Sequence, residues 1–234
     1  MRKRFVILVM CILPTFIFAI AGLGLSINQC MVKVGQSESK ILVDNPLGNP
    51  IEAGSFTHHG FENALGFGGY IYLDIIPVVD LDVEYNFALK DYKFSFQNAA
   101  SKIENAKFAY ATGNLYVTVQ KSVFDLGIPF LASADLYTGL GFNNHVATPM
   151  INQDLLTSVV TGGDIENGKM DEDALKNYLK DNLSNTSGFH FQAGLKLKLL
   201  TFDLITYYRY TFAKDVMPGN NGFGSINFRL GFGI

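Results

Sequence analysis

Apolar and polar positions alternate without a break along residues 79–90. Val79, Leu81, Val83, Tyr85, Phe87 and Leu89 fall on one side, and Asp80, Asp82, Glu84, Asn86, Ala88 and Lys90 on the other. A period of two is the pattern of a β-strand whose two faces meet different media. The same alternation predicts strands over 67–76, 115–120, 131–142, 189–199, 202–212 and 226–234. An eighth strand is expected in 22–34, where Leu23, Leu25 and Ile27 alternate before Gln29 and Lys33 interrupt the run. The links between these segments sort by length. Short ones fall at 77–78, 125–129 and 200–201, and long ones at 35–65, 98–106, 145–188 and 214–222. Short turns at one end and long loops at the other describe an up-and-down barrel that crosses a membrane.

Beyond the N-terminus the chain has no apolar stretch long enough for a spanning helix. In a bilayer that leaves a closed barrel as the structure that satisfies every backbone group. Spanning takes about 9–11 tilted residues per strand, which these segments supply. The expected fold class is all-β: a transmembrane antiparallel up-and-down β-barrel of about eight strands, with a small helical insertion in one outer loop. In a soluble periplasmic sandwich, the competing reading, the acidic strand faces would meet solvent. Composition favours the barrel. Charged residues make up 17%, with 20 Phe, 11 Tyr and 23 Gly, against about a quarter charged in ordinary soluble domains. The only basic run is at residues 2–4, so nucleic acid is not an expected partner.

The N-terminus has the layout of a secretory signal. Arg2, Lys3 and Arg4 precede an apolar stretch over 5–18, and Ala19-Ile20-Ala21 offers a small-residue cleavage site. Residues 1–21 are expected to be the signal peptide and 22–234 the barrel domain. An uncleaved anchor is the alternative, since 5–25 carries no charge, although Pro14 interrupts it. A lipoprotein reading at Cys11 fails because Met10 is too large for the position before a lipidated cysteine. Loss of Cys11 with the signal would leave Cys30 without a disulfide partner.

The polar strand faces carry Asp74, Asp80, Asp82, Glu84, Asp135 and Asp203, and also Lys90, Lys196, Lys198, Arg209 and Arg229. Isolated charges inside a narrow barrel cost several kcal/mol each, roughly, whereas paired ones are tolerated. The near balance of signs therefore predicts a salt-bridged lumen that plugs the barrel, rather than a charged conduit.

The loop at 145–188 is too long to be passive. Thr148-Pro149 has the form of a helix start, with Ile151, Leu155, Leu156, Val159 and Val160 as an apolar stripe that Gly162-Gly163 would stop. A second helix is expected over 171–183, with Ala174, Leu175, Tyr178, Leu179 and Leu183 on one face. Together they predict a small helical cap over the outer mouth. The acidic run 164–173 misses the calcium-loop spacing and reads as a solvated turn, so no metal is expected.

No G-x-S-x-G, H-E-x-x-H or phosphate loop is present. His58 and His59 lie near Ser55 and Thr57, and His145 opens the long loop. His190 is expected to face inward among Gln192, Lys196 and Lys198 in a structural role. Gly66-Phe67-Gly68-Gly69 lies at a strand start, where glycine allows close backbone approach. No catalytic residue and no cofactor is assigned.

The final segment, Ile226-Asn-Phe-Arg-Leu-Gly-Phe-Gly-Ile234, alternates hydrophobics up to its end. In this and in its overall pattern the chain resembles the small eight-stranded outer-membrane β-barrels of the OmpA/OmpX type. That resemblance implies that Phe228, Leu230, Phe232 and Ile234 form the signal read by the outer-membrane assembly machinery. Members usually end in Phe or Trp, and this chain ends in Ile234. It also implies outer-membrane lipid as the surroundings, in a two-membrane bacterium. The leading functional expectation is a structural or surface-interaction role, with the long outer loops meeting an extracellular ligand. The alternatives are a narrow channel for a small solute, hydrophobic ones included, and a lipid-modifying barrel enzyme. Neither the ligand nor the oligomeric state is written in the sequence.

Overall fold

The computed structural model describes residues 21–76, 79–99, 102–128, 131–159 and 171–233. The strands are β1 (Ala21–Val34), β2 (Ser37–Val43), β3 (Ile51–His58), β4 (Phe61–Ile76), β5 (Val79–Asn98), β6 (Lys102–Ile128) and β7 (Ala132–Ala147). Helices α1 (Gln153–Val159) and α2 (Glu172–Asp181) come next, then β8 (Ser184–Leu199), β9 (Phe202–Phe212) and β10 (Gly222–Gly233). Eight strands, β1-β4-β5-β6-β7-β8-β9-β10, form an antiparallel ring. It closes where β10 pairs with β1, from Gly22↔Gly233 to Met31↔Gly224. The expected all-β barrel of eight strands is the fold, and the first strand is β1, paired on both sides. The segment expected to be a signal lies outside the described residues except for Ala21, which opens β1 opposite Leu73. Ile234 also lies outside them.

The exterior explains the medium. Leu25, Leu65, Leu140 and Phe142 are each more than two-thirds exposed, and large apolar side chains recur on every strand of the ring. A continuous apolar surface of this extent has no place in water. Around a closed sheet it is the lipid-facing band of a membrane barrel.

Two strands change the side on which their apolar residues lie. On β5, Tyr85, Phe87 and Leu89 face outward, whereas farther along Tyr92, Phe94 and Phe96 face inward and are buried. On β1, Leu23, Leu25 and Ile27 face out, and Cys30, Val32 and Val34 face in. Side-chain alternation is unbroken, so the medium has changed and not the strand. Gln29 and Lys33, which interrupt the pattern in the sequence, are the outward residues of this upper stretch, and Lys33 pairs there with Glu62 at 3.3 Å.

The links expected as loops at 35–65 and 98–106 are largely strand. β5 and β6 stay paired up to Gln97↔Lys102. The β2–β3 hairpin joins the upper part of β5 from His58↔Phe94 to Gly54↔Asn98, above Leu65↔Leu89, where the β4–β5 pairing ends. The wall therefore continues beyond the ring as a four-stranded extension. Burial drives this, since Phe56, Phe94 and Phe96 pack together inside it and the Phe56 and Phe94 rings stack at 5.6 Å.

The long link is shorter than expected, spanning 148–183, because β7 and β8 pair as far as Ala147↔Ser184. Its first helix begins later than Thr148. Asn152 caps α1, its side-chain oxygen accepting from Leu155 N–H at 2.8 Å. Thr148 instead bonds the β6 edge at Ala111, accepting from its N–H at 3.0 Å. Asp171 caps α2, accepting from Ala174 N–H at 2.9 Å. Val160 and the Gly162-Gly163 stop lie outside the described residues.

Candidate functional site

The lumen is built in layers from the period-two positions. At its centre Arg229 on β10 bonds Asp82 with both terminal nitrogens, at 2.6 and 3.0 Å, and reaches Glu84 at 2.6 Å. Arg209 on β9 donates to the same Glu84 oxygen at 2.7 Å and to Gln192 at 2.8 and 3.0 Å. Tyr207 donates to Glu84 at 2.7 Å. Tyrosine rings cover the guanidinium faces: Tyr116 lies 3.8 Å from Arg209, and Tyr70 lies 4.4 Å from Arg229. These four charged side chains are at most 1% exposed. Two acids against two bases make the layer neutral, and each charge has a bonded partner, which is the condition for keeping ions in such a place.

Glycines on β4 let neighbouring side chains and backbone come close. A Cβ on Gly66 would meet the Asn28 side chain at 2.5 Å, and one on Gly68 would meet Asn86 Cα at 2.6 Å. The close approach expected of this glycine run is therefore real.

Toward the short-turn mouth lie the other charges. Lys196 approaches Asp74 at 4.0 Å and stacks over Tyr72 at 3.8 Å, and Tyr72 donates to Asp203. Asp135 accepts from Ser133 at 3.1 Å, and Asp80, Asp135 and Lys198 are half-buried. Lys90 departs from the expectation. It shares the inward face of β5 but lies above the network, and it joins no ion pair among the described residues.

Above the ion layer the lumen is polar and neutral. His145 sits between the amides of Asn114 (2.7 Å) and Asn143 (2.9 Å). His190 meets Thr118 at 2.9 Å rather than the lysines. His145, expected at the rim, is inside the barrel at 1% exposure. Thr118 and His190 place a hydroxyl against a ring nitrogen, but both are sealed, at 0% and 1% exposure. His58 and His59 do not join Ser55 or Thr57. His58 bonds the Ile151 carbonyl, and His59 meets Ser95 at 3.0 Å. No cluster of metal-ligating side chains occurs among the described residues.

The outer mouth is closed by an apolar layer. Ile151, Leu155, Leu156 and Val159 from the α1 segment are buried against Val32, Phe94, Met217 and Phe223. Tyr92 accepts from Ile151 N–H at 2.7 Å, and Tyr110 donates to the Val216 carbonyl at 2.5 Å. The sequence predicts the helical cap but not the separate core of the upper wall. Its signal is the inward run Tyr92, Phe94, Phe96, which follows the last outward apolar residue, Leu89.

No family model matches the chain, and no curated protein matches it in sequence. Among solved structures it is similar to the outer membrane protein OprG of Pseudomonas aeruginosa, at 10% identity and a TM-score of 0.45, covering 91% of this chain and 92% of that one. It is also similar to the attachment invasion locus protein Ail of Yersinia pestis, at 8% identity and a TM-score of 0.40, covering 91% and 97%. Neisserial surface protein A is similar at 12% identity and a TM-score of 0.39, covering 92% and 99%. This chain's closed eight-strand ring, apolar exterior and charged interior make it a small membrane-spanning β-barrel.

Proposed function

We propose that this chain is an outer-membrane barrel of a two-membrane bacterium, non-catalytic, with a plugged lumen and a surface-interaction role carried by its outer extension. One observation carries the reading: the apolar layer around Ile151, Leu155 and Phe94 lies directly over the neutral and ionic layers, so polar groups do not line the lumen from mouth to mouth. Water and ions cross where polar groups continue, and an apolar constriction resists wetting. The charges below it serve to hold opposite walls together, since Arg229 joins β10 to β5 across the barrel. The sealed histidines favour structure over catalysis, because a reacting group needs a path for its substrate. Residues 1–21 export the chain, and Phe228, Leu230, Phe232 and Ile234 present the strand that the assembly machinery takes up.

The test is electrical. The chain reconstituted in planar bilayers is expected to stay silent in molar potassium chloride. Discrete single-channel steps would favour the narrow-channel reading instead.

A further inference from the structure

Above the ring, β6 has a strand neighbour on one side only among the described residues. Its pairing with β7 ends at Thr112↔Ala147, and Ala111 is capped by Thr148, which donates its N–H to the Ala111 carbonyl at 2.9 Å. Backbone groups alternate sides along a strand, so the N–H and C=O of Ala109 and Lys107 point the same way as those of Ala111. No backbone partner takes them among the described residues.

Opposite this edge runs α2. It is anchored to α1, with Asp171 N–H donating to the Val159 carbonyl at 3.0 Å and Tyr178 donating to Asn152 at 3.2 Å. Yet no residue of α2 is fully buried. Leu175 and Leu179 remain half-covered and look into a cleft of about 510 Å³, whose other wall is Lys107, Ala109 and Ala111, with Phe108 beside them. That volume is within the range of ligand pockets.

Beside the cleft two lysines face one acid, Asp91, which lines the cleft together with Lys107. Lys93 and Lys107 are direct cross-strand partners, with Asp91 as the near acid, and none of the three joins an ion pair among the described residues. Like charges placed directly opposite each other destabilise a sheet.

From the open strand edge, the facing apolar helix and the lysine pair, we infer that the cleft binds an extended segment of a partner polypeptide. The segment adds as a strand beside β6, places apolar side chains against Leu175 and Leu179, and sets an acidic residue near Lys107. An open row of backbone donors and acceptors is matched by another backbone, which a lipid headgroup lacks. This rests on the surface-interaction reading above and names its partner class.

The experiment pans phage-displayed random octapeptides against the full chain in phosphatidylcholine nanodiscs. Affinities of the enriched sequences are then measured on synthetic copies. The expected enrichment is for alternating apolar sequences with an acid. Ala109→Pro removes the N–H that faces the cleft and leaves the β5 pairing in place, so it should weaken binding about fivefold to tenfold. Lys107→Glu should do the same and shift the preference to basic peptides. Should Ala109→Pro fail to fold, Leu179→Ser carries the same expectation from the helix side. Absence of enriched peptides, or binding that neither Ala109→Pro nor Leu179→Ser changes, overturns the inference. Retention on phosphatidylglycerol vesicles that Lys107→Glu abolishes, with no peptide enriched, would overturn it in favour of an anionic lipid. A conducting lumen would undo the preceding reading while leaving this result intact.

Discussion

Arg229 on the last strand is bonded to both Asp82 and Glu84 on β5, three strands away around the ring and across the lumen. Removing one partner from such a group leaves a buried charge unpaired, at a cost of about 3–5 kcal/mol. Glu84→Gln should therefore lower the urea midpoint of unfolding in lipid vesicles, read by the loss of the fast-migrating folded band on gels. Arg209→Met added to Glu84→Gln removes one charge of each sign, and the double variant should be more stable than the sum of the two single effects. Simple additivity would mean that the two residues are not coupled.

The outer surface predicts a depth profile. Leu140 lies in the apolar band, whereas Asn144, four residues farther along β7, bonds Asn185 and Ser187 on the polar rim. Leu140→Arg should cost about 2–4 kcal/mol in bilayers and Asn144→Arg about 0–1. Equal effects at the two positions would contradict the placement of the band.

Leu200, in the two-residue turn between β8 and β9, has φ of 56°. A bulky residue held in the left-handed region is strained, and asparagine tolerates it far better. Leu200→Asn should stabilise the barrel by about 0.5–1 kcal/mol, visible as a raised unfolding midpoint.

Cys30 faces the lumen at 3% exposure, between the ion layer and the apolar mouth. In the folded protein it should resist a small maleimide for hours and react at once after boiling in detergent. Rapid labelling of the folded form would show an open route to the middle of the barrel. Leu155→Asp, which puts a charge into the apolar layer, should speed both this labelling and proteolysis of the α1–α2 segment, while the heat-dependent gel shift remains.

The ring was legible in the sequence because lipid outside and charge inside give each strand the same two-sided pattern, as in Val79 to Lys90. The inward placement of Asp82, Glu84, Arg209 and Arg229 follows from that period alone. Their pairing did not, since period two sets the face of a residue but not its partner across the lumen. The upper wall was hidden for a different reason. Once a strand leaves the lipid, its apolar side turns inward, so Tyr92, Phe94 and Phe96 look like a broken pattern to a reader expecting one medium. Helix α1 starts later than the sequence predicts because Thr148-Pro149 has the chemistry of a cap, whereas Asn152 provides the bond.

The ring closes through its first and last strands, and this sets the timing of assembly. Until β10 has been made, β1 and β9 each present an open edge, so the chain must be shielded from its own kind throughout synthesis. Closure then requires contacts between residues about two hundred positions apart, the slowest kind to find. Arg229 makes that last step selective. A slip of β10 by two residues would keep the backbone bonding pattern but carry the guanidinium away from Asp82 and Glu84, leaving Arg229 and Asp82 as two buried charges without a partner, while Glu84 would keep Arg209. The ion pair thus ties the stability of the closed ring to one register at the seam.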